Sequence, residues 1–261
     1  MLELEFSELS HPGKVRGHNE DYVGHCAPTN MDEAKVRGWL FMLADGVGGQ
    51  QKGEVASRLA IETLQSGFRD FRANETPTGC LQRLVQAANL KILETANGYS
   101  MSTTLVACLL RYDRVTIAHT GDSRCYLIRR GQATQLTRDH TLVGEQVRIG
   151  LLSEAEAAQS EKRHILNRSL GSEIVVRPEI DEHQLLPGDV LMLSSDGLHG
   201  CLSAHEIAVL IGKADSLGEA AQTLISMACE NDGSDNISVQ LIRIRGVERI
   251  GMYRGRPYKL R

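Results

Sequence analysis

Residues 103–136 read TTLVACLLRYDRVTIAHTGDSRCYLIRRGQATQL. Four short, largely apolar runs follow one another here, at 103–110, 114–119, 124–129 and 132–136. Arg130-Gly131 has the character of a hairpin tip. The stretch therefore reads as consecutive strands. On its N-terminal side, residues 54–71 place Val55, Leu59, Leu64, Phe68 and Phe71 near one face of a helix, and 78–96 repeat the pattern with Leu81, Leu84, Val85, Ala88 and Ile92. Further out, 39–44 (WLFMLA) is a continuous apolar run, as a buried strand should be, and residues 2–9 alternate with Leu2, Leu4 and Phe6 on one face. On the C-terminal side, strands are expected at 175–185 and 189–194, helices at 203–211 and 216–230, and a closing strand at 237–244. The apolar phase of that last strand slips at Leu241-Ile242, which suggests a bulge. Residues 140–170 are polar and helix-favouring, an excursion from the sheet.

Strands and helices in separate blocks indicate an α+β fold in layers rather than a βαβ repeat. The early and late helix pairs are positioned to cover opposite faces of two stacked sheets. One domain is expected over 1–245, followed by a basic tail at 246–261 that carries Arg249, Arg254, Arg256, Lys259 and Arg261. The tail is read either as a solvated terminus or as a docking segment for an acidic partner.

Composition narrows the function. With 261 residues, a large core is available without disulfide staples. A net charge of -4 and 4% aromatic residues give no footprint of nucleic-acid binding. The six cysteines form no CxxC pair, and the nine histidines form no HxH or HExxH pattern, so zinc is not expected. No signal-peptide core and no apolar stretch of about 20 residues is visible, which makes a cytoplasmic chain without a membrane span the expectation.

Several aspartates share one habit. Asp45 follows LFMLA, Asp122 follows TIAHTG, Asp196 follows VLMLSS, Asp235 precedes ISVQL and Asp21 precedes an apolar pair. Singly, each is an ordinary turn residue. Gathered at one edge of stacked sheets they would repel one another unless cations neutralise them. Hard divalent ions such as Mg²⁺ and Mn²⁺ take oxygen ligands, and a pair of them can acidify a shared water, the chemistry of phosphate-ester hydrolysis. Gly46 and Gly197 permit close backbone approach, and a glycine carbonyl can itself be a ligand. Arg16, just before Glu20 and Asp21, offers a planar fork for a phosphate. A strand followed by DGVGGQQKG also resembles a nucleotide cradle, but Gln51 stands where GxGxxG needs glycine, and Lys52 lacks the P-loop context.

The segments RGHNED (16–21), DGVGG (45–49), STTL (102–105), GDSR (121–124), TRDH (137–140), HILNRSLG (164–171), SSDGL (194–198) and SDN (234–236) carry a resemblance in order along the chain. They resemble the metal-dependent protein phosphatases, the type 2C serine/threonine family, above all its bacterial branch. The resemblance implies a four-layer α-β-β-α sandwich of two antiparallel sheets between helix layers, with residues 141–170 as a flap. It implies two or three Mn²⁺ or Mg²⁺ ions. Asp45, Asp196, Asp235 and the Gly46 carbonyl would hold the central pair, Asp21 and Glu20 would act mainly through water, and Asp122 with Asp196 would hold a third ion. Arg16 would bind the substrate phosphate, and a hydroxide bridging two metals would attack phosphorus without a covalent phosphoenzyme. The implied partners are phosphorylated proteins, among them a Ser/Thr kinase and its substrates, with the enzyme a monomer. Two positions depart from the pattern. Val47 stands where many eukaryotic members have His, which leaves the leaving-group acid unassigned, and Ser102 replaces a usual Gly. A member that had lost catalysis and served as a regulator is the competing reading. Such chains typically lack one or more metal carboxylates, whereas the central ones are all present here.

Overall fold

A computed structural model describes residues 2–47, 52–71, 75–248, 250–253 and 256–259, the last two segments as backbone only. Gly48, Gly49 and Gln51 of the glycine-rich loop lie outside the described residues, as do the basic side chains expected in the tail. In chain order, β1 (Glu3–His11) and β2 (Asp21–Cys26) precede α1 (Met31–Val36) and β3 (Trp39–Asp45). Two long helices follow, α2 (Gly53–Arg69) and α3 (Pro77–Ala96). Four strands come next: β4 (Leu105–Arg111), β5 (Arg114–Thr120), β6 (Arg124–Arg129) and β7 (Gln132–Gln135). The polar excursion carries α4 (Leu142–Arg148) and α5 (Glu154–Gln159). Strands β8 (Glu179–Gln184) and β9 (Val190–Ser194) lead into α6 (Asp196–His199), α7 (Ala204–Lys213) and α8 (Leu217–Asn231). The chain continues through β10 (Ile237–Gly246), β11 (Ile250–Tyr253) and β12 (Arg256–Lys259).

Two antiparallel five-stranded sheets are stacked, ordered β1-β10-β9-β6-β7 and β2-β3-β4-β5-β8. Because side chains alternate along a strand, each sheet feeds two cores. Leu40, Met42 and Ala44 of β3 pack with α2 and α3, while Phe41 and Leu43 pack between the sheets. Val239 and Leu241 of β10 pack with α7 and α8, while Ile242 and Ile244 face the other sheet. The layers are therefore helix, sheet, sheet, helix, as expected.

The phase slip at Leu241-Ile242 is not a bulge. The pairing of β10 with β9 and with β1 runs in register through both residues, and the one irregularity lies between Glu3 and Leu4. Both faces of β10 are buried, and the inter-sheet face carries the buried polar residues Ser238 and Gln240 before Ile242. The hydrophobic pattern changes because of what each face meets, not because the backbone kinks. Strand β8 begins later than expected, after Pro178, which has no N–H to give a ladder. Within the segment read as a tail, β11 and β12 pair as an antiparallel backbone hairpin.

Local signals fix the helix ends. Thr76 caps α3 by accepting from the Gly79 N–H, Pro77 opens the helix, and Asn97 closes it at φ 47°. Ser203 and Glu206 form a capping box on α7. The Arg130-Gly131 turn has both residues at positive φ, 53° and 76°, as a two-residue hairpin requires. No helix among the described residues is long and apolar enough to cross a membrane.

Candidate metal centre

The acidic strand ends converge. Asp21 opens β2 and Asp45 closes β3, and the two are direct cross-strand partners. Asp196 begins α6 where β9 ends, and Asp235 stands just before β10, whose Val239 pairs with Ser194. One edge of each sheet thus contributes two carboxylates to a common space, and Asp122 joins them from the β5–β6 loop. Asp21, Asp196, Asp122 and Asp235 all act electrostatically on Asp45, so the five aspartates named from the sequence share one region of the fold.

Small polar residues hold this arrangement together. The Ser195 hydroxyl donates to Asp21 Oδ2 at 2.7 Å and accepts from the Ser238 N–H at 2.9 Å, which pins the two sheets together. Asn236 Oδ1 accepts from the Glu20 N–H at 2.8 Å, and its side-chain Nδ2 donates to the carbonyls of Pro12 and His18. That side chain ties down the loop bearing Arg16 and Glu20. Arg16 Nη2 donates to Asp235 Oδ2 at 2.8 Å. The Asp45 backbone is clamped by Thr103 and Thr104. Its carbonyl accepts from the Thr103 hydroxyl at 2.7 Å and the Thr104 N–H at 2.8 Å, and its N–H donates to Thr104 Oγ1 at 2.9 Å. Thr104 Oγ1 in turn lies 2.6 Å from Ser123 Oγ, beside Asp122. Ser195, Asn236 and Thr104 were given no individual role from the sequence, although they lie in the SSDGL, SDN and STTL segments.

Two glycines allow the close approach. A Cβ on Gly46 would sit 2.3 Å from the Gly53 carbonyl oxygen and 2.8 Å from that of Glu20. One on Gly197 would sit 2.1 Å from the Asn236 carbonyl oxygen. Gly197→Ala is therefore expected to push α6 away from the Asp235 segment. A loss of about 1–3 kcal/mol in stability should accompany weakened Mn²⁺ binding, both measurable by thermal unfolding with and without the ion. Wild-type values for both would refute the packing argument.

The electrostatics are those of a crowded, buried acidic cluster. Burial pushes the Asp21 carboxyl up to about 7, with Asp196 and Asp235 adding to the shift and hydrogen bonds from Ser238 and Ser195 opposing it. Burial, reinforced by Asp21, Asp196, Asp122 and Asp235, drives Asp45 well above the carboxylate range. Asp122 is raised to about 7 by burial and by Asp196. Glu20 is raised by burial and then by Glu54. Among the described residues Asp21 Oδ1 is buried with no hydrogen-bond partner, an expensive arrangement for an oxygen unless a cation meets it. An all-oxygen donor set of crowded carboxylates fits hard divalent cations.

The segment expected as a flap lines one cleft with Asp122 and Asp196. Its base is closed by pairing of Leu142 N–H with the Ile165 carbonyl and of Asn167 N–H with that of His140, and Leu170 bridges to Thr103 in both directions. His140 accepts from the Gly121 N–H through Nδ1 at 3.3 Å, faces Glu179 through Nε2 at 3.4 Å and stacks on His119. His119, His140 and Glu179 come within 4.8 Å of one another, close enough for a metal, yet both His140 ring nitrogens and His119 Nε2 are already engaged. We read the trio as a strut at the root of segment 141–170. Arg124 is engaged within the fold. It binds Asp139 with both prongs at 2.9 and 2.7 Å and donates to the Tyr126 hydroxyl.

Comparisons with known proteins agree with this geometry. The chain matches the Protein phosphatase 2C family over residues 9–237. It is 35% identical over 252 residues to the serine/threonine phosphatase stp of Listeria innocua, covering 94% of this chain and 95% of that protein. The fold superposes on the serine/threonine phosphatase Stp1 of Staphylococcus aureus with a TM-score of 0.85 at 30% identity, over 94% of this chain and 96% of the other. It also superposes on the catalytic domain of the serine/threonine protein phosphatase PstP, solved with two manganese ions, with a TM-score of 0.80 at 33% identity, over 94% and 100% of the two chains. Acidic strand ends gathered between two stacked sheets, and relatives of this similarity over nearly the whole length, lead to one assignment: the chain is a phosphatase that belongs to the protein phosphatase 2C family.

Proposed function

We propose that the chain hydrolyses phosphoserine and phosphothreonine monoesters on proteins at a centre of two or three divalent cations. Asp45, Asp196, Asp235 and the Gly46 carbonyl would hold the central pair, Asp21 and Glu20 would steady its water ligands, and Asp122 with Asp196 would hold a third ion. When bound, the cations supply an acidified water for attack on phosphorus, Mn²⁺ and Mg²⁺ both being suited to the oxygen donors. The observation that carries the reading is Asp21 Oδ1, buried and unpartnered among carboxylates that raise one another's pKa.

The chain's own groups do the remaining work. Arg16, held at the rim by Asp235, presents its fork to the non-bridging oxygens of the phosphoryl group. Arg16→Ala should lower kcat/KM for a phosphothreonine peptide by about 10²-fold, with Arg16→Lys recovering only part, since an ammonium lacks the bidentate fork. Equal activity for all three proteins would remove Arg16 from the site. Attack by water requires no protein nucleophile. The cysteines are free thiols, with Cys108 and Cys125 fully buried between the sheets. Replacing Cys26, Cys108 or Cys125 with Ser should leave most activity in protein that folds normally, and a large loss would contradict direct attack.

The same reading makes the chain a cytoplasmic monomer that acts on the products of a Ser/Thr kinase and on the kinase itself. The test is phosphate release from a phosphothreonine peptide across a Mn²⁺ titration. Activity should rise with Mn²⁺ and vanish in chelator. Absence of hydrolysis at saturating Mn²⁺, or full activity in chelator, would refute the proposal.

A further inference from the structure

We propose that the cleft between segment 141–170 and the core recognises a second anionic group on the substrate, with Arg138 as its main contact and Arg163 in support. The favoured substrates are phosphoproteins that carry another phosphate or a carboxylate two or three residues from the phosphate to be removed. The proposal rests on the phosphatase reading and deepens it by naming a substrate class.

The cleft holds about 760 Å³ and has Asp122 and Asp196 in its wall. A substrate whose phosphate reaches the metal centre therefore lays its neighbouring residues in this cleft. A volume of that size matches a cube of about 9 Å edge, the span of two or three residues of extended chain at about 3.3 Å each. Four arginines line it: Arg124 from β6, Arg138 from the loop after β7, and Arg148 and Arg163 from segment 141–170.

The carboxylates of the cleft do not use up this charge. Asp139 takes both prongs of Arg124, at 2.9 and 2.7 Å, and a further bond from Gln135 Nε2 at 3.1 Å. Asp122 and Asp196 belong to the metal centre, whose cations would answer their charge. Arg148 is held by Glu145 of its own helix. Arg163 makes only a 3.4 Å contact with the Ser160 carbonyl. Among the described residues the Arg138 guanidinium has no hydrogen bond and no ion pair. Arg16, Arg37, Arg83, Arg114, Arg129 and Arg245, by contrast, each bind a carboxylate, so an unspent fork facing this cleft departs from the pattern of the fold.

That guanidinium stands on a fixed stem. Buried His119 meets the Arg138 backbone twice, its Nε2 lying 2.8 Å from the carbonyl oxygen and 3.2 Å from the nitrogen. The next two residues are held as well, Asp139 by Arg124 and the His140 N–H by the Gly121 carbonyl. Only side-chain rotamers remain to be ordered when an anion binds, which keeps the entropic cost small. The planar fork suits both carboxylate and phosphate, and phosphate more, because it brings more charge and three acceptor oxygens.

The test is steady-state hydrolysis of phosphothreonine peptides by the full chain at saturating Mn²⁺. The peptides differ at one position, two or three residues to either side, which holds Ala, Glu or a non-hydrolysable phosphonate analogue of phosphothreonine. For the wild type, kcat/KM should be about tenfold higher with the best-placed phosphonate than with Ala, chiefly through KM, with Glu between them, and added salt should shrink the preference. Arg138→Gln should bring the ratio to within about twofold of one, and Arg138→Glu should favour Lys over Ala at the same position. A gain with the phosphonate alone assigns the cleft to multiply phosphorylated substrates, and a gain with both anions widens it to acidic ones. Equal kcat/KM for all peptides in the wild type would overturn this inference and leave the phosphatase reading intact. So would a ratio in Arg138→Gln equal to that of the wild type, even if both rates fall, since damage to the fold alone has that signature. No hydrolysis of any peptide would overturn the phosphatase reading, and this inference with it.

Discussion

Asp196→Asn is expected to abolish turnover while making the metal-free protein more stable. Asp196 has two duties in this account, one at the central pair and one at the third ion. Asparagine keeps the shape but removes the charge that draws a cation. Loss of one carboxylate from the metal centre should lower kcat for a phosphothreonine peptide by about 10³-fold or more, since most of the barrier reduction in such sites comes through the metal. The stability effect has the opposite sign. Without cations, Asp196 raises the pKa of Asp21, Asp45 and Asp122, which is the same as saying that it destabilises their ionised forms. Removing it relieves that repulsion. A residue kept for structure alone would lose stability on substitution and keep its chemistry. Measured kcat and the unfolding midpoint in chelator therefore separate the two roles. Activity within tenfold of wild type, or a lower midpoint in chelator, would contradict the account.

A second large effect concerns pH and metal together. In the metal-free fold the Asp21 and Asp122 carboxyls stand near 7, against about 4 in an unfolded chain. Between those values the folded protein holds more protons than the unfolded one. Stability contributed by these groups is therefore greatest near pH 4 and falls as pH rises to about 7. Buried histidines pull the other way. His140 is lowered to about 4, first by burial and then by His119, and His199 is lowered well below its ordinary value by burial, so both oppose acidification. A comparison between two proteins cancels them. In chelator, Asp122→Asn should be more stable than wild type at pH 8 and nearly equal to it at pH 5. With saturating Mn²⁺ at pH 8 the order should reverse, because the wild type gains the binding energy of a third ion that the variant cannot hold. The gap at pH 8 should be several degrees in the unfolding midpoint, which thermal unfolding by circular dichroism resolves. A gap in chelator that is constant with pH, or one that favours wild type, would show that Asp122 is not a strained carboxylate.

Much of this protein was legible because strand ends are chemically distinctive. A buried apolar run that stops at Asp-Gly marks both a sheet edge and a carboxylate facing out of it, and Asp45 and Asp196 announced themselves in that way. The long helices were legible because each buries one face over many turns. What escaped had weaker or non-local causes. Strand β2 is an edge strand interrupted by Gly24 and His25, so its apolar pattern is too short to read. Helix α1 has six residues and buries none of them. Its Asn30 cap makes it, not periodicity. In β10 the pattern followed two different burial partners and imitated a bulge. Ser195 and Asn236 act by joining segments far apart in sequence, about 174 and 216 residues in their key hydrogen bonds, and no local window contains such information.

The most direct measurement is anomalous diffraction at the manganese edge from crystals of the wild-type chain soaked in Mn²⁺. Two strong peaks about 3.5–4 Å apart should lie among Asp45, Asp196, Asp235 and the Gly46 carbonyl, with a weaker third beside Asp122. No peak in that space, or carboxylates turned away from a single site elsewhere, would contradict it.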